Sequence, residues 1–128
     1  MTMTLRTRKV NGIVVVDMSG RLSAGEPTLL LRETVRKFIE DGSNNFILNL
    51  ADVSYIDTSG LSELIATYTR VGGEGGAVKL LHLGKRAKDL LQMTKLLTVF
   101  DSFVSEGQAL MSFEKQAARS VRADAKLA

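Results

Sequence analysis

The chain has 128 residues, of which 45% are hydrophobic and 24% charged, with a formal net charge of +3. That length carries one core and not two, and the charged fraction is that of an ordinary globular chain, so a single folded domain is expected. Cysteine is absent and His82 is the one histidine, which excludes disulfides, thiolate zinc sites and a cysteine nucleophile.

The chain opens as a hairpin. Residues 4–10 (TLRTRKV) and 13–19 (IVVVDMS) flank Asn11-Gly12, the dipeptide best suited to the positive φ angles of a type I′ turn. The first arm is polar and basic, as suits an edge strand. The second arm is nearly all apolar and reads as a strand covered on both faces.

After the turn-rich stretch 20–27 (GRLSAGEP), Pro27, the one proline, fits the first turn of a helix, where its missing N–H costs nothing. The spacing predicts that helix to about Asp41. Leu31, Val35, Phe38 and Ile39 lie on its inner face, Arg32, Arg36, Lys37 and Glu40 on the outer, and Gly42 stops it. The pattern then repeats. Residues 45–50 (NFILNL) form an apolar strand, and a junction at 54–60 leads into a helix carrying Leu61, Leu64, Ile65 and Tyr68, which ends at Gly72-Gly73. A strand at 77–83 (AVKLLHL) passes through Gly84 to a helix near 85–95, with Ala87, Leu90 and Leu91 inward. Residues 97–100 (LTVF) form a short last strand. A final amphipathic helix follows at about 105–120, with Leu110, Phe113 and Ala117 in register. Residues 1–118 are read as the domain and 119–128 as a polar, flexible tail.

A hairpin followed by alternating helices and apolar strands predicts an α/β fold. Its sheet is mixed and mainly parallel, of four to five strands, with about four helices.

Chemistry concentrates at the junction 57–60 (DTSG). Asp, Thr and Ser all cap helix N-termini by accepting an otherwise unpartnered backbone N–H. With Thr58 or Ser59 as the cap, Glu63 or Ser62 falls where a capping box places its acceptor. One cap needs one hydroxyl, however, and two stand side by side behind an acid. A strand-to-helix turn also lies at the carboxyl edge of a parallel sheet, where α/β folds place functional residues. A phosphate there meets free N–H groups and the positive end of the helix dipole, so the junction is physically able to carry a phosphorylated serine.

Residues 45–64 (NFILNLADVSYIDTSGLSEL) resemble the signature of STAS domains, the anti-sigma factor antagonist family. The likeness extends to the apolar strand and Gly-Arg-Leu at 14–22, the small-residue loop before 77–83, and Leu90, Leu91, Leu96, Leu97 and Phe100. It spans roughly 10–115. The resemblance implies that Ser59 is the serine phosphorylated by a partner kinase that is itself the anti-sigma factor. Asp57 is then the acid of the motif, Thr58 its variable hydroxyl and Gly60 its glycine, and Leu61 opens the helix. By the same resemblance, the unphosphorylated protein binds the anti-sigma factor and frees a sigma factor. Phosphorylation ends that binding, and a metal-dependent Ser/Thr phosphatase restores it. Two positions depart from the pattern. Ser23 follows Gly20-Arg21-Leu22 where many members carry an Asp that meets the kinase, and Ser62 stands where glycine is common. The switch loop and partner-binding set is therefore Asp57, Thr58, Ser59, Gly60, Leu61 and Ser23.

No catalytic residue, metal site or cofactor is expected. Basic residues are interspersed with acids from Arg6 to Lys126, so direct nucleic-acid binding is not expected. The first ten residues lack a signal-peptide core and no apolar run reaches the roughly 20 residues that span a bilayer, so the chain reads as cytoplasmic and not inserted in a membrane. His82 reads as a packed or solvated ring, and the stretch 72–77 (GGEGGA) as a helix stop, since it precedes a strand and lacks Gly-Lys-Ser/Thr. Two other functions fit the residues less well. One is a STAS subunit of a lipid-transport or stress-signalling assembly that needs no phosphorylation. The other is a small serine hydrolase using Ser59, which lacks the Gly-x-Ser-x-Gly elbow and a base.

Overall fold

The computed structural model describes residues 3–114. The expected tail at 119–128 and the last part of the expected final helix lie outside them. The hairpin is present: β1 (Thr4–Val10) pairs antiparallel with β2 (Ile13–Leu22). Asn11 and Gly12 make the turn at φ 54° and 79°. Then follow α1 (Glu26–Glu40), β3 (Asn45–Ile56), α2 (Thr58–Gly73), β4 (Ala77–Leu81), α3 (Lys85–Met93) and β5 (Asp101–Phe103). Residues 106–114 form a last helix, α4.

The sheet order is β1-β2-β3-β4-β5, and every pair after the hairpin is parallel. Each crossover moves one strand further in the same direction. Crossovers of one hand that advance in one direction put their helices on one face, and α1, α2 and α3 do share a face. Their Leu31, Val35, Leu61, Leu64, Val71 and Leu91 pack with Val14, Val16, Phe46, Leu48 and Leu80 of the strands. The opposite face carries Ile13, Val15, Ile47 and Leu81, covered by Ala109 and Phe113 of α4. Successive residues of β2 thus enter different cores, which is why its apolar run has no alternation.

Four boundaries differ from the sequence reading. β2 continues to Leu22 through irregular pairing at Asp17/Ser19 and Gly20/Arg21, and Gly20 takes a φ of 108° there. β3 continues to Ile56 because β2 goes on pairing with it, although Asp52 and Ser54 interrupt the apolar run and conceal the strand. β4 ends at Leu81, where His82 bends the chain at φ 57°. The expected strand at 97–100 is instead a turn. There Leu96 and Leu97 donate backbone N–H bonds to the Leu91 carbonyl, and Phe100 is buried. The last strand lies just beyond, at Asp101–Phe103. The apolar run at 97–100 serves core contact and not pairing.

Candidate functional site

The site is the turn from β3 into α2. Asp57 is the N-cap, with extended backbone at φ −97° and ψ −176°. Its Oδ1 accepts the Gly60 N–H at 2.8 Å, and its Oδ2 accepts the Ala24 N–H at 3.2 Å. One carboxylate therefore closes its own helix and ties it to the loop that follows β2. These amides, the Gly60 N–H foremost, hold the Asp57 carboxyl below the usual aspartate range, while partial desolvation opposes them.

This corrects the expected cap. Asp57, not Thr58 or Ser59, closes the helix, and neither Ser62 nor Glu63 completes a capping box. The Ser62 hydroxyl donates to the Thr58 carbonyl at 2.9 Å, and the Glu63 carboxylate faces α1. With the cap supplied by the acid, Thr58 and Ser59 stand exposed in the first turn of α2, and neither hydroxyl is taken up by the cap.

The other expected residues fall into place around this turn. Gly60 is buried against the end of β2. A Cβ there would overlap the Leu22 carbonyl oxygen and lie 3.0 Å from both its carbon and the Leu22 Cγ. The same carbonyl accepts the Asp57 N–H at 3.3 Å. Ser23 is half-buried beside Ala24, so the loop after β2 and the turn before α2 form one surface. Leu61 is buried in the core and supports the turn from beneath, out of a partner's reach. Ile65 and Tyr68, in helical register with Leu61 and Leu64, are 36% and 41% exposed.

A charged cluster escaped the sequence reading. Glu63 is buried, and its Oε1 accepts from Arg32 Nη2 at 2.8 Å and Nε at 3.2 Å across the α1–α2 seam. Arg70 brings Nη1 to 3.9 Å from Oε2. Arg32 reads as a solvent-facing residue from periodicity alone, and no local signal pairs it with Glu63. Arg21 stacks over the Tyr55 ring at 4.2 Å from its centroid, on the β2–β3 extension that carries the site. That pair follows from a cross-strand register that the sequence does not display.

His82 is exposed at the bend after β4. The glycine-rich segment closes the α2–β4 turn, with Gly76 packed against the Asn44 carbonyl. A cavity of about 390 Å³ lies between the far end of α2 and the β4–β5 edge, lined by Tyr68, Thr69 and Val99, away from Ser59. Among the described residues no group of His, Asp and Glu is arranged to hold a metal ion, and no helix is long and apolar enough to cross a membrane.

Residues 4–109 match the STAS domain family. The chain is 34% identical over 95 residues to the anti-sigma-B factor antagonist of Bacillus subtilis (strain 168), covering 73% of this chain and 85% of that protein. Its fold is similar to that of an anti-sigma factor antagonist from Thermotoga maritima, with a TM-score of 0.79 at 21% identity over 84% of this chain and 92% of the other. It is also similar to the Bacillus cell fate determinant SpoIIAA in its phosphorylated form, with a TM-score of 0.69 at 19% identity over 86% and 99%. The sheet order, the acid-capped Thr-Ser-Gly turn and the match over 4–109 lead to one conclusion: the chain belongs to the STAS domain family, and the curated relative it matches at 34% identity is an anti-sigma factor antagonist.

Proposed function

We propose that this protein is an anti-sigma factor antagonist switched by phosphorylation at Ser59. The unphosphorylated form binds an anti-sigma factor with serine kinase activity and releases a sigma factor. Phosphate on Ser59 ends that binding, and a metal-dependent Ser/Thr phosphatase restores it. The observation that carries the reading is the division of labour at the turn. Asp57 supplies the cap, which leaves an exposed serine hydroxyl at the helix N-terminus without a structural task. The curated relative named above and the phosphorylated form of a protein with the same fold support it.

A phosphoryl group adds about −1.5 to −2 charge and three acceptor oxygens. Helix α2 tolerates that charge, because its N-terminus is worth about 0.3–1 kcal/mol to an anion. A partner packed against Ser59 does not, since desolvating a dianion without a counter-charge costs several kcal/mol. Each 1.4 kcal/mol is tenfold in affinity, so one phosphate is sufficient to dissolve a tight complex. The contact surface is Thr58, Ser59 and the Ser23 loop, with Asp57 and Gly60 holding their shape. Ser59→Asp is expected to abolish binding to the cognate anti-sigma factor in calorimetry while keeping its Tm. Ser59→Ala is expected to bind and to resist phosphorylation. Equal affinities for wild type and Ser59→Asp would refute the switch and move weight to a STAS interaction module that works without phosphate.

A further inference from the structure

A buried carboxylate lies one helical turn behind the exposed serine. Residues four apart on a helix share nearly the same face, so Ser59 and Glu63 stand in one row along α2. Ser59 is exposed and Glu63 is 3% exposed, so the row runs from solvent into the α1–α2 seam. Two arginines converge at its inner end. Arg32 directs both Nη2 and Nε to Glu63 Oε1. Arg70 stops 3.9 Å from Oε2, beyond hydrogen-bond distance. Those two facing atoms, Arg70 Nη1 and Glu63 Oε2, are buried without a hydrogen-bond partner among the described residues.

An ion pair is a costly way to join two helices, because an apolar pair of the same volume serves as well or better. What it does provide is aim. Both Arg32 bonds fall on one carboxylate oxygen, the Arg32 side chain stays 50% exposed, and a guanidinium has five N–H donors, so several remain unused. One turn of helix is 5.4 Å, within the sweep of an arginine head that already reaches across the seam from α1 to Glu63 of α2. Asp57, the other acid at the turn, has both oxygens on backbone amides and does not compete for Arg32.

We propose that Arg32, aimed by Glu63, is a preformed receptor for a phosphoryl group on Ser59. Its free N–H groups take a phosphate oxygen one turn up α2, while Glu63 keeps the Nε side of the fork. Arg70 stands ready to close on Glu63 Oε2 as Arg32 shifts outward. Arg32 touches the phosphate, and Glu63 and Arg70 are positioning residues. The phosphorylated turn is thereby a fixed, arginine-bound charge and not a mobile one, and a phosphatase must free the phosphate from Arg32 before acting on it. The inference rests on the reading of Ser59 as the phosphoacceptor.

The test places phosphoserine at position 59 during translation, by amber suppression, and follows its second ionisation by ³¹P NMR titration. An arginine at contact distance stabilises the dianion, so Arg32→Gln is expected to raise that pKa by about half a unit or more. Arg36→Gln serves as the control, because Arg36 is committed to Glu33 and Glu40, and it is expected to leave the titration unchanged. If Arg32→Gln alone unfolds, the double variant Arg32→Gln/Glu63→Gln restores the net charge of the seam, and its phosphate pKa must lie above that of Glu63→Gln, the reference that already lacks the carboxylate. Coincident titrations for a folded Arg32 variant and the reference that differs from it only at Arg32 would overturn the receptor. Because the ribosome installs the phosphate, that result bears on Arg32 alone, whereas absence of phosphate on Ser59 in cells bears on the switch alone.

Discussion

Gly60 is a glycine for reasons of space. It is not among the positive-φ glycines, so its backbone suits any residue, but its Cα faces the Leu22 carbonyl at the end of β2. That contact brings the β2 loop close enough for Ala24 to reach Asp57. Gly72, near the other end of the same helix, has open space where a Cβ would go. The same substitution is therefore expected to act oppositely at the two positions. Gly60→Ala should destabilise by about 2 kcal/mol, since backbone cannot yield as a side chain does. Gly72→Ala should be neutral or stabilising by up to about 1 kcal/mol, because alanine is the better helix former. Urea denaturation of the two variants checks this. A Gly60→Ala protein as stable as wild type would mean that the turn relaxes without cost. The Asp57 carboxylate carries the corresponding electrostatic role, binding two amides that otherwise have no partner.

Among the elements, α4 is the asymmetric one. Three helices share the face that bears α2 and the site, whereas residues 106–114 alone cover the opposite apolar strip among the described residues. Two attachments hold it. Phe113 is 7% exposed and packs over Val15, Ile47 and Leu81, with the Lys79 ammonium 5.3 Å from its ring centroid. Lys79 is itself paired to Asp101 at 2.8 Å. At the other end Glu106 accepts from Arg8 of the edge strand, which also bonds Asp17 at 2.8 Å. Phe113→Ala is expected to cost about 3 kcal/mol, the scale of an aromatic deletion from a packed site. Amide hydrogen exchange should locate the loss in α4 and the adjoining strands and not in the α2 turn. A loss below 1 kcal/mol would mean that α4 adds little to the second core.

At the scale of the whole molecule, three carboxylates couple stability to pH. Asp17 is held below the usual range chiefly by its hydrogen bond to Arg8, Glu106 by the same guanidinium, and Asp57 by the Gly60 amide. Each folded pKa lies below its unfolded value, so the unfolded chain binds more protons in acid. The stabilisation is present above the unfolded values near 4 and is lost as pH falls through the folded ones. Stability is therefore expected to be level from neutral pH to about 5 and to decline below about 4. Arg8→Gln removes the partner of Asp17 and Glu106 together. Its urea-derived stability is expected to be lower at pH 7 and to decline less steeply in acid. An unchanged acid slope would show that Arg8 does not depress these groups.

The sequence by itself determined the α/β class, the hairpin, the order of elements and the place of the junction. Each of these rests on local chemistry. Asn11-Gly12 accepts positive φ, Pro27 starts a helix, Gly42 ends one, and apolar periodicity separates helix from strand. Asp52 and Ser54 hid the length of β3, because a strand paired on one edge and open to water shows no apolar run. The apolar run at 97–100 looked like a strand because core contact and strand pairing ask for the same residues. Only the tertiary structure decided that Asp57 and not a hydroxyl caps α2, since its second oxygen is satisfied by Ala24, 33 residues away in sequence. It alone paired Arg32 with Glu63, and it alone decided that α1, α2 and α3 cover one face of the sheet and α4 the other. Caps and turns are written in neighbouring residues, whereas ion pairs and layers depend on which surfaces the crossovers bring together.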